Sequence, residues 1–310
     1  MTVGRLAPTP SGLLHIGNGR SFLLAWLWAR SAGGRVLLRI EDIDRARCKP
    51  EYVQSAWDDL AWLGLDHDGE VVIQSPRTEL YRVHLQRLIQ AGLAYPCTCT
   101  RRDIEEAGGA PHGDDGPVYP GTCRGRWQDA AHARAETGRE PAMRFLWKGA
   151  EVRFDDALHG EVSIDPSTHG DFVLWRRDDL PSYQLAVTVD DALQGVTQVL
   201  RGRDLLTSTA RQLALYAALG LKAPAEWAHV PFVNDAGGRM AKRDGSLALR
   251  TLRESGVESA KLIGLLAWSA GLTEQPTPVS AGDLVADFDV RKVSTTDFVL
   301  TVQHLSKLGA

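Results

Sequence analysis

Cysteine, long apolar runs and an excess of charge of one sign are all scarce in this sequence, and each scarcity excludes a class of protein. Four cysteines in 310 residues do not make a disulfide scaffold. The longest apolar run, Phe22 to Ala29, is too short to span a bilayer, and the first residues lack the pattern of a signal peptide. With 35 basic and 39 acidic side chains, a polybasic coat for nucleic acid is excluded as well. We therefore expect a cytoplasmic protein without a membrane partner.

What remains is an ordinary globular composition, 44% hydrophobic and 24% charged, in a chain long enough for about two domains. Its first forty residues predict a strand at 5–7, a helix over 19–30 and a buried parallel strand at 36–40. A strand, a crossover helix and a second strand open a doubly wound α/β fold. Parallel strands are also predicted at 172–175, 184–189 and 196–200, and helices over 75–92, 208–219 and 258–268.

Composition changes between residues 96 and 170, where three of the four cysteines and many Gly and Pro residues occur. The simplest interpretation is an α/β domain that is split by an insertion. We expect a Rossmann-type nucleotide-binding core whose halves cover 1–95 and 171–247, an insertion at 96–170, and a small helical C-terminal region at 248–310.

Two loops have the composition of phosphate-binding loops. The first, Pro8 to Asn18, would deliver His15 and Gly17 to the start of a helix, where backbone N–H groups and the helix dipole favour anions. The second, Gly238 to Gly245, places Lys242 and a neighbouring arginine in a Gly-flanked turn that could reach a triphosphate. Each loop alone is also compatible with a plain surface turn. Their combination on one split α/β domain is far more specific.

These loops resemble the two signatures of the class I aminoacyl-tRNA synthetases. Arg5 to Gly17, Arg39 to Asp44, the Asp190-Asp191 pair and Val199 to Asp204 further resemble the catalytic core of the glutamyl-tRNA synthetases, from about residue 4 to 250. The chain length, the cysteine pattern and residues 183–192 are similar to the glutamyl-queuosine tRNA(Asp) synthetase family. A full glutamyl-tRNA synthetase continues with a large anticodon-binding region, for which we expect the residues after 250 to be too few.

The resemblance implies a ligase that activates L-glutamate with Mg²⁺-ATP without needing tRNA. It then implies transfer of glutamate to the queuosine base at the wobble position of the tRNA(Asp) anticodon. No obligate protein partner is evident. The alternatives are a short glutamyl-tRNA synthetase that charges an ordinary acceptor end, a non-catalytic nucleotide- or RNA-binding paralogue, and a nucleotidyltransferase of cofactor synthesis.

Glutamate carries two carboxylates and one ammonium, so its site should hold two cations and an acceptor. Arginine suits a planar grip on a carboxylate. By resemblance, glutamate would be bound by Arg5, Leu6, Ala7, Pro8, Thr9, Glu41, Tyr183 and Arg201. By resemblance, ATP would be bound by His15, Gly17, Asn18 and Lys242, of which His15, Asn18 and Lys242 would be catalytic.

The sequence departs from the family pattern at three points. Asn18 replaces the second histidine of the first signature; it can donate to a phosphate but carries no charge. The second signature reads Arg-Met-Ala-Lys-Arg, so Ala241 replaces a serine and Lys242 keeps the central lysine. Arg203 stands where glutamyl enzymes usually carry Glu. Each departure is compatible with activation.

Cys97, Cys99 and Cys123 are candidate metal ligands, because thiolates in a Gly- and Pro-rich insertion suggest structural Zn²⁺, which needs four ligands. The residues alone leave the fourth ligand open among His112, Asp114, Asp115 and Tyr119, with histidine the ordinary choice. The related family pattern C-x-C…Y-x₃-C implies Tyr119. Metal-free thiols are the alternative.

Overall fold

The computed structural model describes residues 1–108, 118–235, 238–239, 248–306 and 308. The strands are β1 (Val3–Leu6), β2 (Arg35–Ile40), β3 (Val72–Ile73), β4 (Ala94–Cys97), β5 (Ala142–Phe145), β6 (Val152–Asp156), β7 (Gly160–Ile164), β8 (Val173–Trp175), β9 (Gln198–Gly202), β10 (Glu226–Val230), β11 (Val233–Asp235), β12 (Gly238–Arg239) and β13 (Phe298–Val299). The helices are α1 (Ile16–Ser31), α2 (Pro50–Trp62), α3 (Thr78–Gln90), α4 (Arg101–Gly108), α5 (Ala130–Thr137), α6 (Pro166–His169), α7 (Tyr183–Leu193), α8 (Leu206–Leu219), α9 (Leu249–Glu254), α10 (Ser259–Ser269) and α11 (Val302–Ser306).

Two groups of parallel strands meet at the centre of the molecule. Strands β1, β2 and β3 form one group, and β9, β10 and β6 form the other, with β7 antiparallel at its edge. The groups touch where the amide of Thr197 donates to the carbonyl of Val3 at 2.9 Å. From this junction the chain runs from β1 to β2 in one direction and from β9 to β10 in the other. This is the topological switch point at which doubly wound folds bind ligands.

Strand β2 shows why the sheet is buried on both faces. Val36, Leu38 and Ile40 pack into one hydrophobic cluster with α1 and α10, and Leu37 packs into a second cluster with α3, α7 and α8. A strand covered on both sides has no polar face, which explains its continuous apolar run. The predicted buried strand at 36–40 is thus confirmed.

The predicted insertion takes part in two sheets. Strand β5 pairs antiparallel with β4, which crosses the predicted boundary at residue 96, and with β8, which follows the boundary at residue 170. The hairpin of β6 and β7 instead joins the core sheet, since Asp156 pairs with Trp227 of β10. The change in composition at residues 96 and 170 therefore does not coincide with a change of sheet.

One predicted strand is a helix, another strand pairs antiparallel instead of parallel, and four helices are missing from the prediction. Residues 184–189, predicted as a parallel strand, belong to α7, which is capped by Ser182, whose hydroxyl accepts from the amide of Leu185 at 3.4 Å. Because α7 is buried almost all round, its apolar run has no helical period to detect. Residues 173–175 form an antiparallel strand instead of a parallel one. The unpredicted helices are α2, α4, α5 and α6.

The predicted helices over 208–219 and 258–268 are confirmed as α8 and α10. Among the described residues no helix combines the length and the apolar character that a membrane crossing requires.

Candidate active site

A cleft of about 290 Å³ opens at the switch point, beyond the carboxyl ends of β1 and β9. Most of the residues predicted to bind glutamate or ATP line it together: Arg5, Ala7, Thr9, His15, Gly17, Asn18, Glu41, Tyr183 and Arg201. They come together because parallel strands end at the same edge of a sheet and because α1 begins at that edge. Lys242 lies outside the described residues.

Leu6 and Pro8 do not line the cleft. Side chains alternate along a strand, so Arg5 and Ala7 face the cleft while Leu6 packs into the core beside α1. Pro8 contributes through its backbone, since its carbonyl accepts from the amide of Glu41 at 3.0 Å. The structure therefore gives Leu6 a packing role and Pro8 a supporting one.

Arg5 and Glu41 lie within a buried network of charges. Arg39, fully buried, pairs with Asp191 at 2.6 Å and with Glu41 at 3.1 Å. Arg5 lies 3.5 Å from the same Asp191, and its Nη1 donates to the carbonyl of Leu200 at 3.4 Å. Its Nη2 makes no hydrogen bond to any described residue, so Nη2 is the part of Arg5 that can grip a ligand carboxylate.

Arg201 is held more firmly than Arg5. Its Nε donates to His229, its Nη1 to the Tyr183 hydroxyl, and its Nη2 to the Leu205 carbonyl and the Thr209 hydroxyl, at 2.7–3.3 Å. Among the described residues these contacts use all but one of its N–H groups. The remaining N–H is on Nη1, so Arg201 can offer a ligand a single donor rather than the two-pronged grip that the sequence suggested.

Burial and the neighbouring charges shift the pKa values of three groups at the cleft. Burial raises the pKa of Glu41 above its ordinary value, although Arg39 opposes it. Burial likewise raises the pKa of the Tyr183 hydroxyl, against the pull of Arg201. Asp191 is also penalised by burial, yet Arg39 and Arg5 outweigh this and lower its pKa. The charged form is therefore favoured at Asp191, which is fully buried and does not line the cleft, and disfavoured at Glu41, which does. A ligand ammonium beside Glu41 would favour its charged form.

His15 and Asn18 form a reciprocal capping box at the start of α1. The Nδ1 of His15 accepts from the amide of Asn18 at 3.3 Å, and the side-chain oxygen of Asn18 accepts from the amide of His15 at 3.0 Å. An acceptor role at Nδ1 places the proton of the neutral ring on Nε2. A Cβ at Gly17 would lie 3.1 Å from the His15 ring. The absence of a side chain at Gly17 therefore leaves space for the His15 ring, and the backbone amide of Asn18 fixes its tautomer.

The three predicted cysteine ligands converge in the structure. The sulfurs of Cys97, Cys99 and Cys123 all lie within 4.8 Å of one another, and the Cys99–Cys123 separation is 3.5 Å. The Tyr119 oxygen lies 3.3 Å from the sulfur of Cys97 and 3.9 Å from that of Cys99. Tetrahedral Zn²⁺ with Zn–S bonds of about 2.3 Å separates its sulfurs by roughly 3.8 Å. The described donors therefore fit such an ion.

The surroundings of Tyr119 bear on its candidacy as the fourth ligand. Burial raises the pKa of its hydroxyl, while the amide of Cys123 donates to its oxygen at 2.8 Å and the Arg144 guanidinium lies 3.9 Å from the ring centre. Both neighbours favour a negative oxygen, which a metal would complete. The other candidates, His112, Asp114 and Asp115, lie outside the described residues.

Sequence reasoning did not assign a role to Arg39, although one signal was present. A charged residue inside an otherwise apolar strand must find a partner when that strand is buried. Arg39 stands in that position in the run 36–40, and its partner Asp191 is more than 150 residues away. Nothing local in the sequence could have identified that pair.

The family model that describes the catalytic domain of class I tRNA synthetases (E and Q) matches residues 1–296. A glutamyl-Q tRNA(Asp) synthetase from Symbiobacterium thermophilum is 47% identical, with 100% of this chain and 99% of that protein covered. Glutamate–tRNA ligase 1 from Halorhodospira halophila is 40% identical, with 97% of this chain and 65% of the ligase covered.

A comparison with solved structures assigns the chain to the same family of folds. The crystal structure of a glutamate tRNA ligase from Elizabethkingia meningosepticum, in complex with its amino acid, superposes with a TM-score of 0.82 at 25% identity. The match covers 99% of this chain and 68% of that one. The architecture described above is therefore the class I tRNA synthetase fold.

Proposed function

The chain belongs to the class I tRNA synthetase (E and Q) family of ligases, together with the glutamyl-Q tRNA(Asp) synthetases, and on that premise we propose that it activates L-glutamate with ATP and transfers it to queuosine in tRNA(Asp). The observation that carries the proposal is the cleft itself. Two guanidinium groups, a carboxylate and a tyrosine hydroxyl converge there beside the N-terminus of α1.

Glutamate fits this set of groups by charge. Arg5 binds one carboxylate through Nη2, and Arg201 binds the other through its remaining N–H on Nη1. Glu41 receives the α-ammonium. The Thr9 hydroxyl, which donates to Glu41 at 3.4 Å, holds this carboxylate in place. The Tyr183 hydroxyl, which accepts from Arg201 at 3.2 Å, does the same for that guanidinium. A neutral amino acid would leave one buried guanidinium unpaired, which is costly.

ATP binds at the start of α1, with Gly17 lying against the nucleotide. An α-carboxylate oxygen of glutamate attacks the α-phosphorus, and the bond to the β-phosphate breaks as pyrophosphate leaves. The Nε2–H of His15, the side-chain NH₂ of Asn18 and Lys242 stabilise the charge that develops on the phosphoryl oxygens, and Mg²⁺ on ATP neutralises the triphosphate. The protein's contribution is positioning and electrostatics.

The relatives support the choice of acceptor. The glutamyl-Q tRNA(Asp) synthetases match this chain over almost their full length. A queuosine cyclopentene diol resembles the cis-diol of a terminal ribose, so a core that places one diol beside a glutamyl-adenylate can accept the other. One diol hydroxyl attacks the carbonyl carbon, and AMP leaves.

The acceptor is tested with labelled glutamate, ATP and tRNA with or without queuosine, followed by nuclease mapping of the label. We expect label in the anticodon fragment of queuosine-containing tRNA(Asp) and none in tRNA lacking queuosine. Label at the 3′ end would instead support a short glutamyl-tRNA synthetase. Absence of pyrophosphate exchange with glutamate would support a non-catalytic paralogue.

Activation is expected to proceed without tRNA. Arg5, Arg201 and Glu41 line the cleft together, and each is held there by partners within the chain itself. Glutamate-dependent ATP–pyrophosphate exchange should therefore appear with protein, Mg²⁺-ATP and glutamate alone. Exchange that begins only after tRNA is added would contradict this prediction.

We further propose that residues 96–170 carry a structural Zn²⁺ ion held by Cys97, Cys99, Tyr119 and Cys123, and that this insertion divides the core into halves 1–95 and 171–247 while its β6–β7 hairpin adds to the core sheet. The ion would tie the end of β4 to the segment around Tyr119. Its ligands lie apart from the cleft-lining residues, so its role is to hold this part of the chain in shape.

Purified protein should contain about one zinc per chain, and Cys123→Ser should release it while exchange with glutamate is largely kept. Cys48→Ser is the matched control, because Cys48 lies outside the cluster and should leave the zinc content unchanged. Tyr119→Phe separates the fourth ligand from the rest. If Tyr119→Phe kept full zinc while His112→Ala lost it, His112 would be the ligand.

A further inference from the structure

Arg201, His229 and Asp156 form a buried chain of hydrogen bonds that leads from Arg201 away from the cleft. The Nε of Arg201 donates to His229 Nε2 at 3.1 Å, and the Nδ1 of His229 lies 2.6 Å from Asp156 Oδ2. His229 and the Asp156 carboxylate are fully buried. The three residues occupy neighbouring strands β9, β10 and β6, so the sheet itself holds them in line.

The hydrogen bonds settle which nitrogen of His229 carries its proton. Asp156 accepts at Oδ2, so Nδ1 is protonated, and Nε2 is left as the acceptor that faces Arg201. Burial lowers the pKa of His229 to about 4, against the pull of Asp156, so the ring stays neutral at physiological pH. The Thr209 hydroxyl lies 3.1 Å from the same Nε2 and also accepts from Nη2 of Arg201, so it contacts both residues.

We propose that Asp156 and His229 are positioning residues for the amino acid: Asp156 fixes the tautomer of His229, and His229 fixes the Arg201 guanidinium so that its remaining N–H points at a ligand carboxylate. The inference rests on the proposed function, in which Arg201 binds glutamate. It gives a role to two residues that do not line the cleft.

Asp156→Asn is the sharpest test, because the backbone decides how the new amide is oriented. Oδ1 of Asp156 accepts from the amides of Leu158 and His159 at 3.0 and 3.1 Å. An amide oxygen must occupy that position, so the Asn NH₂ group faces His229 Nδ1. The ring must then accept at Nδ1 and carry its proton on Nε2, opposite an N–H of Arg201. The substitution keeps the shape of the side chain and turns a hydrogen bond to Arg201 into a donor–donor contact.

We expect Asp156→Asn to raise KM for glutamate in pyrophosphate exchange by about 10- to 100-fold, the size of one lost hydrogen bond to a charged group. KM for ATP should change less than about twofold, since no phosphate group is assigned to Arg201. The nitrogen chemical shifts of the His229 imidazole report the tautomer directly and do not depend on activity. In the variant, Nε2 should show the chemical shift of a protonated ring nitrogen and Nδ1 that of an unprotonated one, the reverse of wild type.

Two substitutions of His229 separate its two hydrogen bonds. Gln places an oxygen near the position of Nε2 and keeps an acceptor for Arg201, whereas Asn places an amide near Nδ1 and keeps only the partner of Asp156. His229→Asn should therefore raise KM for glutamate far more than His229→Gln. In the His229→Gln background, Asp156→Asn should add little, because Asp156 acts through the ring.

The outcomes distinguish this inference from the function on which it rests. If wild-type protein shows glutamate-dependent exchange but Asp156→Asn leaves both the tautomer and KM for glutamate unchanged, the positioning role is overturned and the proposed function stands. Equal increases of KM for glutamate and ATP would mean a general loss of structure and would also overturn it. Wild-type protein that exchanges no pyrophosphate with glutamate would contradict the proposed function, whatever the tautomer.

Discussion

Arg5→Leu is expected to lower kcat/KM for glutamate by about 10²- to 10⁴-fold. Without the Arg5 guanidinium, a carboxylate of the bound glutamate has no partner in a partly buried cleft, and breaking such a pair costs roughly 3–5 kcal/mol. Arg201→Leu should have an effect in the same range. ATP should be affected much less, because neither arginine is assigned to the triphosphate. The measurement is ATP–pyrophosphate exchange with glutamate, glutamine and aspartate as substrates.

Arg5 is the cleaner of the two positions. Arg201→Leu also removes partners from Tyr183, Thr209 and His229, so part of its effect will be structural. Arg5→Leu removes a 3.4 Å hydrogen bond to the carbonyl of Leu200 and a 3.5 Å ion pair with Asp191, which keeps Arg39 as its nearer partner.

The matched control for these variants is Arg30→Leu at the end of α1, where the ion pairs with Asp66 and Asp68 lie away from the cleft. Its exchange kinetics should match wild type. Unchanged glutamate kinetics in Arg5→Leu, or a wild-type preference for glutamine, would remove the basis for the amino-acid site and favour a nucleotidyltransferase of cofactor synthesis.

Much of this site could be predicted because its groups stand at the ends of strands. Arg5, Glu41 and Arg201 lie at or beside the carboxyl ends of β1, β2 and β9, and the rule that ligands bind there needs only the positions of the strands. The start of α1 likewise follows from the order of a strand, a loop and a helix.

The supporting interactions could not be predicted, because they join residues that are far apart in the sequence. Arg39 pairs with Asp191 on a helix whose sequence predicts a strand, and His229 meets Asp156 only because the β6–β7 hairpin joins the core sheet. A residue such as His229 carries no local sign of its partner. The position of Leu6, in contrast, could have been predicted, because the alternation of side chains along a strand places it on the face opposite Arg5.

His15 offers a second large effect, and the capping box allows its two roles to be separated. His15→Asn should keep an acceptor for the amide of Asn18 and so preserve the N-cap of α1, while it removes the imidazole N–H that we assign to the phosphoryl oxygens. Loss of one such donor costs about 10²- to 10³-fold in kcat. We therefore expect exchange to fall by that factor with little change in thermal stability.

His15→Ala removes the cap as well, and it should show the same fall in kcat together with a loss of about 1 kcal/mol of stability. Asn18→Ala is the complementary variant: it removes the side-chain NH₂ that we assign to the phosphate and the Oδ1 that accepts from the amide of His15. Because the imidazole itself is kept, the fall in kcat should be smaller than for His15→Asn. Exchange rates with saturating ATP and glutamate, read beside thermal unfolding, distinguish these cases. If His15→Asn exchanged pyrophosphate at the wild-type rate, the imidazole would act only as a helix cap, and charge stabilisation at the phosphorus would have to come from Asn18, Lys242 and the helix N-terminus.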